Sequence, residues 1–309
     1  MNTTRLRSKS KFVYTLPMTR EIKNIINIIV FLICIALVNV AGQNIELEIR
    51  GINAFTFVLI VAVLIQVIFF IPSYLLKTEK YYDLVGSLTY VTTISLAYFS
   101  VENKTSIDTI IYLYVMVWAT RLGIYLFRRV QKDGKDVRFE KAKTHFFWFL
   151  QYWMGQALWV SLTSCAAIIA ILSPEENSLP ILAIVGMALW LTGFTIESIS
   201  DYQKRVFRKE NNPSQSFIHT GLWARSRHPN YFGEITLWTG IAVIALNTLS
   251  GVEFITLISP VFVYILLTRM SGINLLERIA DERYGELEEY QRYKRNTPVL
   301  FPKLSKNKN

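Results

Sequence analysis

Charged residues are scarce in this sequence. Asp, Glu, Lys and Arg make up 18% of its 309 residues, whereas an ordinary soluble domain carries about 25%. The mean hydropathy is +0.31, and long stretches contain no charge at all. Such stretches suit lipid, where every backbone amide has to form its hydrogen bond within the protein. The composition therefore indicates an integral, multi-pass membrane protein.

Cysteine and histidine are scarce as well. Cys34 and Cys165 both lie inside apolar runs, and the three histidines are far apart without ligand spacing, so we expect neither a disulfide nor a metal site. Phosphate-binding glycine loops of the forms G-x-G-x-x-G and G-x-x-x-x-G-K-[ST] are absent. A bound nucleotide would therefore have to be held by helices rather than by a Rossmann fold.

Basic residues, in contrast, are in excess, and the formal net charge is +10. Nucleic acid would attract such a charge. In a membrane protein, however, basic loops at anionic lipid headgroups explain it better. We therefore expect membrane lipids, and not nucleic acid, as partners.

Apolar runs predict eight transmembrane helices, or seven if one of the two shortest runs does not cross, because a bilayer core of about 30 Å needs roughly 20 apolar residues. The connections after the first, third, fifth and seventh runs contain only Arg50 and Lys104 as basic residues. By the positive-inside rule, this alternation places both termini in the cytoplasm. We predict an all-α bundle with spans at 25–41, 53–76, 84–100, 107–127, 146–172, 179–200, 231–249 and 252–270.

After the last span, from about residue 272, the pattern predicts one cytoplasmic amphipathic helix that Pro298 ends. Leu275, Leu276 and Ile279 would form its apolar side.

Four ionisable residues fall within or beside the predicted spans, on the half nearer the cytoplasm: Asp83, Arg121, Glu197 and Glu234. Such a side chain is costly in lipid unless it is paired or faces a wet cavity. A helix cap would explain Asp83, and snorkelling would explain Arg121. Four of them near one leaflet instead indicate a polar cavity open to the cytoplasm.

The loop predicted between the sixth and seventh spans is basic and mixed in character. It begins at Asp201 and contains Arg205, Arg208, Arg225 and Arg227. Guanidinium groups bind phosphate through paired hydrogen bonds. A loop that only binds headgroups would also be basic, but it would not need the donors, acceptors and rings that accompany these arginines. Those companions, which favour a nucleotide site, are Trp223, His228, Asn230, Tyr231 and Glu234.

The segment Arg227-His228-Pro229-Asn230-Tyr231-Phe232-Gly233-Glu234 resembles a motif of the superfamily that contains the steroid 5α-reductases, sterol and enoyl reductases, and the isoprenylcysteine and phospholipid methyltransferases. The likeness is strongest to a bacterial branch of unknown function beside the steroid 5α-reductases. We accordingly divide the chain into two N-terminal spans at 1–79, a catalytic membrane domain at 80–303 and a disordered tail at 304–309. The other matching segments are Trp118 to Gly123, Asp201 to Arg208, Ser271 to Ile273 with Glu277, and Tyr290 to Pro302.

In the reductases, the resemblance implies a helical bundle that encloses NADPH, which enters from the cytoplasm. By position, Asp201 and Arg208 match residues that hold the nucleotide, and Asn230 matches one near the nicotinamide. The residues expected to bind the cofactor are Arg121, Glu197, Asp201, Arg205, Arg208, Arg225, Arg227, His228, Asn230, Tyr231 and Glu277, and those expected to be catalytic are Asp83, Tyr125 and Glu234.

One position departs from the reductase pattern. Steroid reductases place a catalytic tyrosine three residues before the pocket arginine, and here that position is Trp118. An indole donates one hydrogen bond but is not a general acid at neutral pH. This departure weighs against a steroid substrate, and Asp83 or Tyr125 would have to supply the proton.

A methyltransferase that uses S-adenosylmethionine is the second interpretation, because an R-H-P-x-Y segment followed by an acidic helix and Tyr290-Gln291-Arg292-Tyr293 is also typical of the isoprenylcysteine methyltransferase group. The arginines at 201–208 suit a phosphate-rich dinucleotide better than a sulfonium. A non-enzymatic lipid-binding or transport protein is the third, although the spans lack the mid-membrane interruptions of a transporter. We expect an apolar or lipid-like substrate with an activated C=C bond and a bacterial inner membrane, and leave the oligomeric state open.

Overall fold

The computed structural model of the protein describes residues 19–133, 136, 138–173, 181–211, 216–270 and 272–303. The predicted disordered tail at 304–309 and the first residues of the predicted N-terminal region, 1–18, lie outside the described residues. Nearly all regular structure in the described part is helical, so the predicted all-α class is confirmed.

The helices are numbered in chain order. A 3-10 stretch, Gly251–Leu257, leads into α8, and a π-helical stretch, Leu266–Met270, follows it. The bounds are α1 Arg20–Asn39, α2 Ala54–Leu75, α3 Tyr82–Ser100, α4 Ser106–Asp133, α5 Phe146–Leu172, α6 Ile181–Glu210, α7 Pro229–Ala245, α8 Ile258–Ile265, α9 Ile273–Tyr284 and α10 Glu288–Asn296.

Six segments of the described chain are long and apolar enough to cross a membrane, which fits an integral membrane protein. Two of the eight predicted spans, α3 and α7, do not qualify. Helix α7 has 17 residues, and α3 is diluted by serine, threonine and tyrosine. The span count and the cytoplasmic position of both ends therefore stay predictions. The six segments are Arg20–Gly42, Ala54–Leu75, Ser106–Lys132, Phe146–Leu172, Ile181–Glu210 and Gly251–Tyr284.

Helix α5 is the centre of the bundle. It is 89% buried over its apolar window and contacts α1, α2, α3, α7 and α8. The outer helices, in contrast, expose large apolar side chains, among them Ile33 of α1, Leu64 of α2 and Ile184 of α6. A continuous apolar surface of this kind is stable against lipid rather than against water.

A short hairpin joins α1 to α2, where the sequence analysis predicted only a connection. Strands β1 (Glu48–Ile49) and β2 (Ile52–Asn53) pair antiparallel. Arg50 and Gly51 turn the chain with φ of 56° and 76°, the left-handed conformation that two-residue hairpins require. Asn53 then caps α2 by accepting a hydrogen bond from the Thr56 amide at 3.1 Å.

Two predicted elements need correction. The stretch from Asp201 to Lys209 is not a loop, because α6 continues to Glu210. No Pro or Gly interrupts that stretch, and its last-turn cations, Arg208 and Lys209, favour the negative end of the helix dipole. The predicted single tail helix is two helices, α9 and α10, with Gly285 as the C-cap of α9.

Helices α6 and α7 approach closely through glycines. Gly186 and Gly193 of α6 face Gly240 and Gly233 of α7. A Cβ atom built on Gly193 would lie 2.4 Å from the Leu237 nitrogen, and one on Gly233 would lie 2.6 Å from the Glu197 nitrogen. Small residues of this kind let helix backbones meet inside a membrane. This glycine contact brings the predicted site residues of α6 and α7 together.

The glycine contact makes a stability prediction. Gly193→Ala or Gly233→Ala should lower the midpoint of thermal unfolding in detergent, because the added methyl group meets backbone, a clash that typically costs about 1–3 kcal/mol. Gly155→Ala of α5 is the matched control. Its nearest outside atom is Cε2 of Phe31 at 3.4 Å, so the higher helix propensity of Ala should leave the midpoint unchanged or raise it. Equal midpoints for all three variants would contradict the close approach.

Candidate functional site

A buried ion-pair cluster joins α4 to α6. Arg121 of α4 bonds to Glu197 of α6, and its Nη1 lies 3.0 Å from Oδ2 of Asp201, one turn further along α6. Trp118 donates its indole N–H to Oε2 of Glu197 at 3.1 Å. Both acids are buried. Three residues predicted for the cofactor pocket, Arg121, Glu197 and Asp201, thus lie together, and one arginine compensates two carboxylates.

Glu234 approaches this cluster from α7. It is buried, and its Oε1 atom has no hydrogen-bond partner among the described residues. It is close enough to Arg121 and Asp201 to interact electrostatically with both. The glycine contact explains the proximity, since Gly233 packs directly on the backbone of Glu197. A buried carboxyl oxygen without a partner is available to a ligand.

A second cluster joins the start of α7 to α9. Glu277 of α9 bonds to Arg227 and accepts or shares a proton with Nε2 of His228 at 2.8 Å. Lys294 of α10 lies 4.0 Å from Glu277 and 2.5 Å from Asp281. The His228 ring stacks on Tyr231 at 5.6 Å between ring centres. The structure therefore gathers Arg227, His228, Tyr231 and Glu277 as a second predicted group.

Aromatic residues connect the two clusters. Trp223 is buried and donates its indole N–H to the Ser200 carbonyl of α6 at 3.1 Å, while its own carbonyl accepts a hydrogen bond from Tyr293 of α10 at 2.7 Å. The ammonium of Lys204 lies 4.6 Å from the centre of the Trp223 ring. The segment after α6 and the C-terminal helices are thereby fixed to the end of α6.

The remaining predicted cofactor residues are less constrained. Arg205, Arg208 and Arg225 are exposed and form no ion pair with the described residues. Asn230 is half-buried at the start of α7. These side chains surround the end of α6 rather than joining the buried pairs.

Two predicted catalytic residues lie on other surfaces. Asp83 of α3 sits 3.5 Å from Arg129 and 3.7 Å from Arg138. It also lines a cavity between α3, α4 and α5 that does not include the buried acid cluster. Tyr125 of α4 is half-buried and close enough to Asp201 and Arg208 for electrostatic interaction, on the nucleotide side of the candidate site.

Two titratable groups outside the spans are shifted. Burial lowers the pKa of His228, and the hydrogen bond with Glu277 opposes this only in part. Burial raises the pKa of Asp136, but the hydrogen bonds from Arg138 outweigh it and hold the pKa below its ordinary value. His228 is therefore held neutral in the folded protein, whereas Asp136 is held ionised.

Lys204 is a residue that the sequence analysis missed. It follows Asp201 by three positions and precedes Arg208 by four, so all three lie on one face of a helix. That signal was hidden because the stretch was predicted as a loop. No ion pair between Lys204 and an acid is found among the described residues, although Asp201 is near enough to interact electrostatically.

Metal chemistry finds no matching cluster in the described part of the chain, where no three His, Cys, Asp or Glu side chains converge. Cys34 and Cys165 are both free thiols.

Fold and site together define a polytopic helical membrane protein with ion pairs buried between its helices. The chain belongs to the family described as "Protein of unknown function (DUF1295)", which matches residues 69–297. The family resemblance predicted from the sequence is thereby confirmed, with a match that begins inside α2.

Relatives with named activities match shorter stretches. The chain is 31% identical over 121 residues to the Mus musculus 3-oxo-5-alpha-steroid 4-dehydrogenase 1, covering 39% of this chain and 42% of the relative. The Rattus norvegicus protein of the same name is 30% identical over 119 residues, covering 38% and 40%. The Homo sapiens protein is 37% identical over 71 residues, covering 23% and 27%. The chain thus spans less than half the length of these relatives. No solved structure gives a significant match.

The shared counterion makes the next prediction. Arg121→Met leaves Glu197 and Asp201 buried without a cation, a loss that typically costs about 3–5 kcal/mol, so the midpoint of thermal unfolding should fall sharply. Arg278→Met is the matched control, because the Arg278–Glu282 pair is 69% exposed on both sides and such pairs contribute about 0–1 kcal/mol. Equal midpoints for the two variants would show that Arg121 does not compensate buried charge.

The shifted histidine predicts a pH dependence. Because the folded-state pKa of His228 lies below its unfolded value of about 6.5, the unfolded chain binds the extra proton first. The stabilising contribution is therefore complete above about pH 6.5 and is lost as the pH falls through the folded pKa. Thermal unfolding between about pH 5 and pH 7.5 measures this slope.

His228→Gln should flatten that slope, whereas His145→Gln, at an exposed position, should leave it unchanged. A slope that survives His228→Gln would assign the pH dependence to another group.

Proposed function

We propose that this protein is a membrane-embedded reductase that uses NADPH to reduce an activated C=C bond in an apolar, lipid-like substrate. The observation that carries the proposal is a group of cations without acidic partners among the described residues, Lys204, Arg205, Arg208 and Arg225, beside the buried acid–arginine cluster. The similarity to the 3-oxo-5-alpha-steroid 4-dehydrogenases supports it. Their name describes dehydrogenation at C4 of a 3-oxo steroid, and the reverse of that reaction is reduction of a C=C bond.

The charge distribution fits a dinucleotide phosphate. Cations that lie close together repel one another, and an anionic ligand removes that repulsion. Arg205 and Arg208 are exposed, so their guanidinium groups are free to bind phosphate in the bidentate geometry that arginine prefers. Arg121 and Arg227 each also retain a buried Nε without a partner in the described part of the chain. A sulfonium cofactor carries no phosphate and would leave these cations uncompensated.

The buried acids suit the other end of the same ligand. Asn230 and Glu234 stand where the family resemblance implies the nicotinamide, and the free Oε1 of Glu234 is available to hydrogen-bond the carboxamide. Bound NADPH would supply a hydride to an activated C=C bond. The chain would have to exclude water, which the burial of Glu197, Asp201 and Glu234 accomplishes.

An apolar substrate follows from the surface of the bundle. The outer helices present large apolar side chains, such as Ile68 of α2 and Val117 of α4, so the protein lies in lipid, and a lipid-soluble substrate would reach it from the bilayer. Asp83 and Tyr125 stay predicted candidates for proton transfer. The location in a bacterial inner membrane also stays a prediction.

Ligand binding tests the cofactor. NADPH should raise the midpoint of thermal unfolding of the detergent-purified protein, because a ligand that binds only the folded state stabilises it, and S-adenosylmethionine should not. Arg208→Ala should weaken the apparent NADPH affinity about 10- to 100-fold, the usual effect of losing a charge-assisted hydrogen bond. Arg278→Ala, an exposed arginine on α9, should retain it.

Stabilisation by S-adenosylmethionine alone would replace the reductase with a methyltransferase. No response to either ligand would favour a non-enzymatic membrane protein. Unchanged NADPH affinity in Arg208→Ala would remove that arginine from the site.

A further inference from the structure

The cavity between α3, α4 and α5 has a polar lining that the buried ion pairs do not use. It encloses about 400 Å³ of space, partly open, within the usual size range of small-molecule pockets. Indole and aliphatic groups form most of its walls, including Trp118, Trp159 and Leu122. Asp83 lies in the lining, and Trp118 joins the cavity to the acid cluster through its bond to Glu197.

The hydroxyl of Tyr90, in the wall of this cavity, is buried without a hydrogen bond to the described residues. The equally unpartnered hydroxyl of Thr163 on α5 faces it. The Tyr90 ring is held edge-on against Trp118 at 5.1 Å and tilted against Trp238 at 5.9 Å, so it has little freedom to turn away. An unpaired buried hydroxyl is costly, and a ligand group that pairs with it recovers that cost.

Gln156 supplies a second unpaired polar atom in the same wall. Its Oε1 has no partner within the part of the chain that the structure describes. The side chain fits there because position 86 is glycine: a Cβ atom on Gly86 would lie 2.4 Å from Nε2 of Gln156. The cavity therefore combines apolar walls with two side chains able to hydrogen-bond one carbonyl group.

The other groups near the cavity are poorer proton donors. Trp118 already donates its N–H to Glu197. Asp83 lies between Arg129 and Arg138, and two guanidinium groups favour its ionised form, which carries no proton to give. Tyr90, in contrast, is a phenol with a free proton, and it lies close enough to Glu234 to interact electrostatically. It thus adjoins the end of the site where the family resemblance implies the nicotinamide.

From this geometry we propose that the cavity holds an apolar α,β-unsaturated carbonyl compound and that Tyr90 is its proton donor, in the role that Trp118 cannot fill. The inference rests on the proposed reductase function. The β-carbon of the enone accepts the hydride of the reduced nicotinamide, and the C=C electron pair moves to the carbonyl as an enolate. Tyr90 gives its proton to that enolate, and water returns one to the phenolate. The substrate gains one hydride and one proton, and the dinucleotide is oxidised.

Tyr90→Phe tests this role with two probe enones, androst-4-ene-3,17-dione and the smaller 4,4-dimethylcyclohex-2-enone. With the better probe, kcat should fall about 100-fold or more, the usual contribution of a general acid. NADPH affinity and the midpoint of thermal unfolding should not fall, because the lost hydroxyl has no partner among the described residues. Stabilisation of the protein by the enone, measured without turnover, should weaken about tenfold. Tyr112→Phe, a stacked tyrosine of α4 outside the cavity, is the matched control.

The outcomes separate the two proposals. Full turnover or unchanged enone affinity in Tyr90→Phe would overturn the role of Tyr90 and leave the reductase intact. A wild-type protein that responds to NADPH but is stabilised by neither enone would overturn the assignment of the cavity. A protein that does not respond to NADPH would overturn both. Gly86→Ala offers a second measurement, because it displaces Gln156 and should raise the KM for the enone without changing NADPH affinity.

Discussion

The close approach of α6 and α7 is the constraint on which the candidate site depends. Four glycines allow the two backbones to touch, and this distance leaves no room between the helices for side chains that would separate Glu197 from Glu234. Without a hydrophobic driving force between helices in lipid, such packing itself holds the helices together. The same contact that stabilises the bundle therefore also concentrates negative charge at one level of it.

That concentration of charge explains the placement of Arg121. Carboxylates enter an apolar bundle only where a cation and hydrogen bonds compensate them, and Arg121 reaches two of them from a third helix. Glu234 is left with a free oxygen, and the described cations beyond Asp201 on α6 are left without acids. The protein is thus over-compensated near the surface and under-compensated deeper in, an asymmetry that a long ligand with anionic and polar ends would satisfy.

The sequence predicted the fold class and most helix positions, because charge-free runs of bilayer length are rare outside membrane helices; α5 coincides with its predicted span. It also identified Arg121, Glu197 and Asp201, since ionisable residues in apolar runs require partners. It did not predict the length of α6, because hydropathy reports where lipid ends and not where a helix ends. It missed the roles of Lys204 and Tyr90 for a similar reason: a lysine in a basic stretch and a tyrosine in an apolar helix carry no distinguishing signal until neighbouring helices are placed.

The enclosure of α5 has a further consequence for the family. Helix α1 and most of α2 precede the stretch matched by the family, which begins at residue 69, yet both pack against α5. Their cover lets α5 carry buried hydroxyls such as Ser161 and Thr163 that would otherwise face acyl chains. A shortened homologue without these two helices would need a greasier fifth helix, or a partner subunit in their place, so the composition of that helix should vary across species with the presence of the N-terminal extension.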